Sequence, residues 1–223
     1  ATINKDNVVN AMNSGYHLIW HVDHCSQYTL GTGININNSF QKLMNRVDVE
    51  DLANDNKPFI MWTNGCDPND FTYENISESF MKSINKGAIG LIGNSIVGYD
   101  FYNYMGLNFF TSLFYFNNYR LGNAFRSIPS NAGSYLYGVY NQNLLGDPEM
   151  PVWKTQPQTL VVEHPANIII GQNSVTVTVL DNNYIPVEGA LVCLQKGYEA
   201  YAIGSPDAIG QVTFDYTPET IGE

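Results

Sequence analysis

Cationic side chains are scarce in this chain. Only 10 of its 223 residues are Lys or Arg, against 21 Asp and Glu, which leaves a formal net charge of −11. That balance excludes nucleic acid as a partner, because phosphate binding needs a positive face. The acidity serves solubility, with calcium binding as the other use of so many carboxylates. Charged residues of both signs together make up just 14%, and the remaining polarity comes from Asn, Ser, Thr and Tyr. With 44% hydrophobic residues, this composition builds an ordered core under an uncharged polar surface, not a disordered chain. Cysteine is scarce as well. Cys25, Cys66 and Cys193 are too few, and odd in number, for a disulfide framework, so at least one thiol is left free. No run approaches the ~18 to 20 consecutive apolar residues of a membrane helix, and no membrane span is expected. A signal peptide and an initiator Met are also missing. The chain opens at Ala1 before a predicted helix and breaks off after Thr220-Ile221-Gly222-Glu223, which reads as a processed or truncated piece of a longer precursor.

What is present divides near Trp153–Gln158, a proline-flanked linker. Residues 1–155 alternate helical and extended patterns. Ala1–Asn13 predicts a short helix, Tyr16–Val22 a buried strand, Phe40–Asp51 a helix and Pro58–Thr63 a second buried strand. Glu74–Lys86 predicts an amphipathic helix with Ile76, Phe80, Met81 and Ile84 on one face, stopped by Gly87. Ala88–Gly93 reads as a third buried strand and Leu107–Phe125 as an aromatic-rich helix; GDPEMPVW, within Asn143–Trp153, is a turn leading into an extended segment. Near-continuous apolar strands separated by helices predict an α/β domain with a mostly parallel sheet and flanking helices. Residues 156–223 switch period. Thr159–Val162, Ser174–Leu180, Ala190–Gln195 and Gln211–Tyr216 predict short strands, with strict alternation in Val175–Val179. That spacing predicts an all-β, immunoglobulin-like sandwich that is incomplete, with its final strand or strands missing. Cys193, between Val192 and Leu194, is expected in its core, and His164 on its surface.

Two strand ends carry chemistry-bearing residues. Trp20-His21-Val22-Asp23-His24-Cys25-Ser26 ends the first strand, and Asn64-Gly65-Cys66-Asp67-Pro68-Asn69-Asp70-Phe71 ends the next. In open α/β sheets, functional groups gather at the carboxyl ends of strands. Were the two strands neighbours, His24 and Cys66 would face each other across one crevice, and a thiol needs such a base to attack at neutral pH. Spacing alone leaves Cys66 open between a catalytic and a structural part, since cysteine is also a common core residue.

In these motifs the chain resembles the gingipain family of cysteine peptidases, within the caspase-like superfamily. The family ends one strand in a His-Gly-Ser step, where this chain has LIWHVDHCS at 18–26. It ends the next in a Cys followed by Asp-Phe, where this chain has MWTNGCDPNDF at 61–71 with Asp70-Phe71 at the family's interval. Glu78-Ser79-Phe80-Met81, AIGLIGNS and the closing Gly146-Asp147-Pro148 then follow in the family's order. The resemblance implies a caspase-like domain, here its C-terminal half, ahead of an immunoglobulin-like one. It implies a secreted or cell-surface endopeptidase acting on polypeptide substrates, with Cys66 as nucleophile and His24 as base and no required cofactor. Backbone N–H groups of Cys66 and Cys25 would hold the oxyanion.

The sequence departs from the family at named positions. Cys25 stands where the family has Gly, which permits backbone conformations that Cys resists. A Cys25–Cys66 disulfide would silence the enzyme. His21 stands where the family has an aromatic, and its expected part is structural. The acid that steadies the family's histidine belongs to an earlier half. Asp23 is a poor substitute, since adjacent strand-end side chains point apart. An associated N-terminal fragment of the same precursor is therefore an expected partner, covering the apolar edge Tyr16–Val22. For the first specificity pocket the resemblance points to the loop after the third strand, with Asn94, Ser95 and Asp100 as wall residues. Asp67, Asp70 and Glu74 would cap the following helix or hold a structural calcium ion. Two other readings stand beside the peptidase: a caspase-like relative that binds or assembles without catalysis, which Cys25 favours, and an adhesive immunoglobulin-like second domain, with the aromatic loops 99–119 of the first part as a further binding surface.

Overall fold

A computed structural model describes residues 3–34, 40–99, 102–127, 136–171 and 174–222. The chain forms two compact units, Ala1–Lys154 and Thr155–Glu223. In the first, strands β1 (Leu18–His21), β5 (Phe59–Thr63), β6 (Ala88–Asn94) and β7 (Gln142–Gly146) form a sheet in the order β1-β5-β6-β7. β1, β5 and β6 are parallel and β7 runs antiparallel at the edge, so the sheet is mostly parallel, as expected. The apolar run FIMWT explains the arrangement. All five residues of β5 are buried, which suits a central strand covered on both faces. With period 2, Phe59 and Met61 enter one core, with Met12, Val49, Ile76, Phe80 and Leu91. Ile60 and Trp62 enter the other, with Tyr102, Met105, Phe109, Leu113 and Leu121.

Helices α1 (Lys5–Ser14), α2 (Arg46–Glu50) and α3 (Ile76–Lys82) supply the first core; α4 (Asn103–Phe114) and α5 (Leu121–Arg126) supply the second, and α6 (Leu136–Asn141) leads directly into β7. Their ends follow from local chemistry. Asn4, Asn45 and Asn75 are N-caps whose side chains accept backbone N–H groups of α1, α2 and α3. Gly15 closes α1 in the left-handed conformation, φ 91°.

Several elements differ from the sequence expectation. The predicted helix Phe40–Asp51 is instead strand β4 (Phe40–Asn45) followed by the one-turn α2. β4 pairs with β3 (Thr29–Ile34), and β3 with β2 (Cys25–Ser26), as an antiparallel sheet; long-range pairing overrides the local pattern. The Glu74–Lys86 helix is confined to α3, because Asn75 caps it and Ser83 is extended. Ile84, expected on its apolar face, is 83% exposed. Leu107–Phe125 is two helices, not one. α4 stops at Phe114, and Asn117 (φ 58°) turns the chain before α5. 

β1 is an outer strand of its sheet. Trp20 in the strand and Val22 just past its end remain 43% and 46% exposed. An apolar groove of about 320 Å³ runs beside the strand, lined by Val8, Met12, Ile19, Trp20, Leu30 and Leu43 among others.

The second unit is all-β. β8 (Leu160–Glu163), β9 (Ser174–Asp181) and β12 (Gln211–Asp215) form one antiparallel sheet; β10 (Val192–Lys196) and β11 (Ala200–Gly204) form another. Val175, Val177, Val179 and Phe214 are buried, with Val192, Leu194 and Ala202 of the other sheet packed on them. β11 was not anticipated. Cys193, expected in the core, is exposed: with Val192 and Leu194 facing inward, alternation sends the residue between them outward. His164 is exposed.

Candidate active site

The parallel pairing of β1 with β5 sets the site. Their register runs from Leu18↔Ile60 to His21↔Thr63. His24 lies three residues beyond His21, and Cys66 lies three beyond Thr63, so both leave the sheet at the same level and the same end. The pairing continues past the strands, since Asn64 N–H donates to the His21 carbonyl at 3.1 Å. The two loops then touch. A Cβ placed on Gly65 would lie 2.1 Å from Cys25 Sγ and 2.8 Å from the Asp23 carbonyl oxygen. Only glycine lets the residue before Cys66 pass that close to the residues on either side of His24. His24 is exposed and Cys66 half-buried, which leaves both open to a reactant.

The His24 loop is anchored at several points. The Asp23 carboxylate accepts the His24 backbone N–H at 2.7 Å. Gly31 N–H donates to the His24 carbonyl at 2.7 Å. That makes His24 and Gly31 a hydrogen-bonded pair. By alternation along the β2–β3 hairpin, Cys25 and Leu30 form a non-bonded pair, and the Cys25 N–H is turned away from β3. Cys25 is not among the residues with positive φ, so the position makes no demand here that only glycine can meet. All three thiols are free. Cys25 Sγ lies 3.5 Å from Thr63 Oγ1 and 3.7 Å from His21 Nδ1, and burial pushes its pKa up to about 12. Cys66 Sγ lies 3.6 Å from the Gly98 carbonyl.

Behind Cys66 stands a set of buried asparagines. Asn94, the last residue of β6, donates from its side chain to the carbonyls of Asn64 (3.1 Å) and Gly65 (2.9 Å). Asn69 donates to Gly93 O (3.2 Å) and Asn143 O (3.1 Å), tying the loop to β6 and β7. Asn64 donates to Tyr99 O (2.9 Å) and Asn103 Oδ1 (3.0 Å). Asp67 takes the left-handed conformation (φ 62°) that turns the chain sharply after Cys66, with its N–H on Ile96 O at 3.1 Å. Burial, then repulsion from Asp70, raises the Asp67 carboxyl above its ordinary pKa.

Asn94, expected in a specificity wall, is thus fully buried and spends its amide on backbone carbonyls. Ser95 is half-buried and donates to Asn141 O at 3.2 Å. Asp100 lies outside the described residues. Asp67 and Asp70 are neighbours, but Glu74 does not join them. Asp70 accepts from Thr72, Glu74 pairs with Arg46 at 2.8 Å, and the helix cap is Asn75. Among the described residues, no group of three or more His, Cys, Asp or Glu side chains is placed to hold a metal. The sequence assigns no individual role to Thr63, Asn64, Gly65, Asn69 or Gly98. The available signal was a concentration of Asn and Gly at two buried strand ends, where carbonyls need donors and backbones meet.

The family model of peptidase family C25 matches residues 1–153, and the chain belongs to that family. Comparison with curated protein sequences gives no match. Among solved structures, the fold is similar to that of the Arg specific cysteine proteinase gingipain R (TM-score 0.75, 19% identity, 96% of this chain and 50% of that one). It is also similar to the complex of Porphyromonas gingivalis RgpB pro- and mature domains (TM-score 0.73, 18% identity, 96% and 51%). The chain thus spans about half the length of the solved chains it matches.

Proposed function

We propose that this chain carries the Cys–His centre of a secreted cysteine endopeptidase. The reading rests chiefly on the His21↔Thr63 register with the close pass of Gly65 against Asp23 and Cys25. They support a meeting of the two loops in which His24 and Cys66 each follow three residues after the paired His21 and Thr63. In the reaction, His24 takes the Cys66 proton and the thiolate adds to the scissile carbonyl carbon. The oxyanion that forms is met by the N–H groups of Cys66 and Cys25. Collapse breaks the C–N bond, His24 gives its proton to the leaving amine, and a thioester remains on Cys66. Water, deprotonated by His24, then releases the acid and restores the thiol. Non-positive φ at Cys25 removes the conformational objection to replacing the family's Gly.

The remaining parts of the reading concern neighbours. The open β1 edge and its apolar groove suit an N-terminal fragment of the same precursor, a partner in keeping with the pro- and mature-domain complex of RgpB. The two packed sheets of Thr155–Glu223 suit an immunoglobulin-like module. The test is labelling of the full-length protein with a peptidyl chloromethylketone, together with cleavage of a mixed peptide library. Cys66 is expected to carry the label, and Cys66→Ala and His24→Ala to abolish both labelling and cleavage. Protein that neither reacts nor cleaves supports the non-catalytic, binding reading instead.

A further inference from the structure

His21 is joined to both site loops by hydrogen bonds at its two ring nitrogens. Its Nε2 lies 3.0 Å from the Gly31 carbonyl, which can only accept, so Nε2 carries the hydrogen. In the neutral ring Nδ1 is then an acceptor, and the Thr63 hydroxyl 2.8 Å away donates to it. The Thr63 oxygen, having donated, accepts the Gly65 N–H at 3.3 Å and faces the Cys25 thiol at 3.5 Å. Gly31, held through its carbonyl, uses its N–H on the His24 carbonyl. One end of the imidazole therefore sets the strand that carries His24's anchor. The other end sets the hydroxyl that holds the residue before Cys66.

We propose that His21 is a positioning residue for the Cys66–His24 pair, clamping the two loops to one another through Gly31 on one side and Thr63 on the other. The inference rests on the peptidase reading and deepens it. The ring touches no reacting atom, and its effect passes through the Gly31–His24 and Thr63–Gly65 hydrogen bonds. A small displacement of either loop lengthens the path for proton transfer, and displacements near 1 Å can cost about 10²-fold in rate.

The test uses the full-length protein, with active sites counted by covalent titration of Cys66 so that turnover is expressed per competent site. His21→Phe keeps a ring and removes both nitrogens. It is expected to lower kcat per titrated site by about tenfold or more while KM changes less than about threefold. Thr63→Val, which keeps the side-chain shape and removes the hydroxyl, is expected to do the same. His21→Gln, whose amide reaches the Nε2 position and can donate to the Gly31 carbonyl, should recover part of the loss. A merely structural histidine would instead lower the melting temperature and the number of titratable sites, leaving kcat per site unchanged, and that result overturns the proposal. Wild-type protein without His24-dependent reactivity at Cys66 would sink the peptidase reading and this inference together. Normal wild-type turnover with undiminished His21→Phe and Thr63→Val turnover would sink this inference alone.

Discussion

At the residue scale, the two thiols nearest the site sit in opposite environments. Cys25 is buried, and burial pushes its pKa up to about 12. Cys66 is half-buried at a loop tip. Since the thiolate is the reactive form, iodoacetamide on native protein near pH 8 is expected to modify Cys66 and exposed Cys193 and to spare Cys25. Peptide mass mapping before and after unfolding would check this. His21 gives a second expectation. Burial lowers its pKa below the usual value, opposed by the Gly31 carbonyl and by Asp23. A base that stays neutral when folded but charges when unfolded makes folding less favourable once pH falls through the unfolded pKa, about 6.5. Thermal stability should therefore decline from about pH 6.5 downward, and His21→Phe should flatten that part of the melting-temperature profile. A wild-type profile level down to pH 5 would contradict it.

At the element scale, loops of the first unit are held by side chains more than by regular structure. Asn94 alone supplies donors to two buried carbonyls beside Cys66. Asn94→Ala leaves both without that donor, at a cost of about 1–3 kcal/mol for each buried group left unpaired. The expected readout is a lowered urea midpoint together with loss of Cys66 labelling. Gly98 offers a sharper probe, because an added Cβ would meet the Asn64 carbonyl oxygen at 2.2 Å, a backbone atom with little room to yield. Gly98→Ala is expected to displace the Cys66 loop and cut labelling at least about tenfold, by the same sensitivity to position. In the core, Phe80 is fully buried and stacks edge-on against Phe59 at 5.6 Å. Phe80→Ala should cost about 3–5 kcal/mol in chemical denaturation, separating loss of fold from loss of site.

At the scale of the whole molecule, an outer parallel strand with exposed Trp20 and Val22 is a place where another chain can pair. Lysine on an outer strand discourages such pairing. Trp20→Lys with Val22→Lys is accordingly expected to reduce retention of a co-expressed N-terminal fragment in pull-down, scored on protein shown to be folded by circular dichroism. Equal retention by the double variant would remove the edge from the partner reading.

What the residues determined by themselves was the sequence of buried strands and the two polar ends that follow them. FIMWT and AIGLIG read as central strands from their short length and unbroken apolar character, as burial on both faces demands. The runs Tyr16–Val22 and FIMWT located His24 and Cys66 just past strand ends. The sequence could not settle the helix-like Phe40–Asp51, which became β4, since a strand's partner lies elsewhere in the chain and β preference depends on that partner. Nor could alternation alone say which way Cys193 faces until the packing of β10 named its inner side. Above all, only the tertiary structure decided that His21 and Thr63 are cross-strand partners. Parallel register is set by crossover connections and core packing far from either residue, and the contact of the His24 and Cys66 loops follows from it.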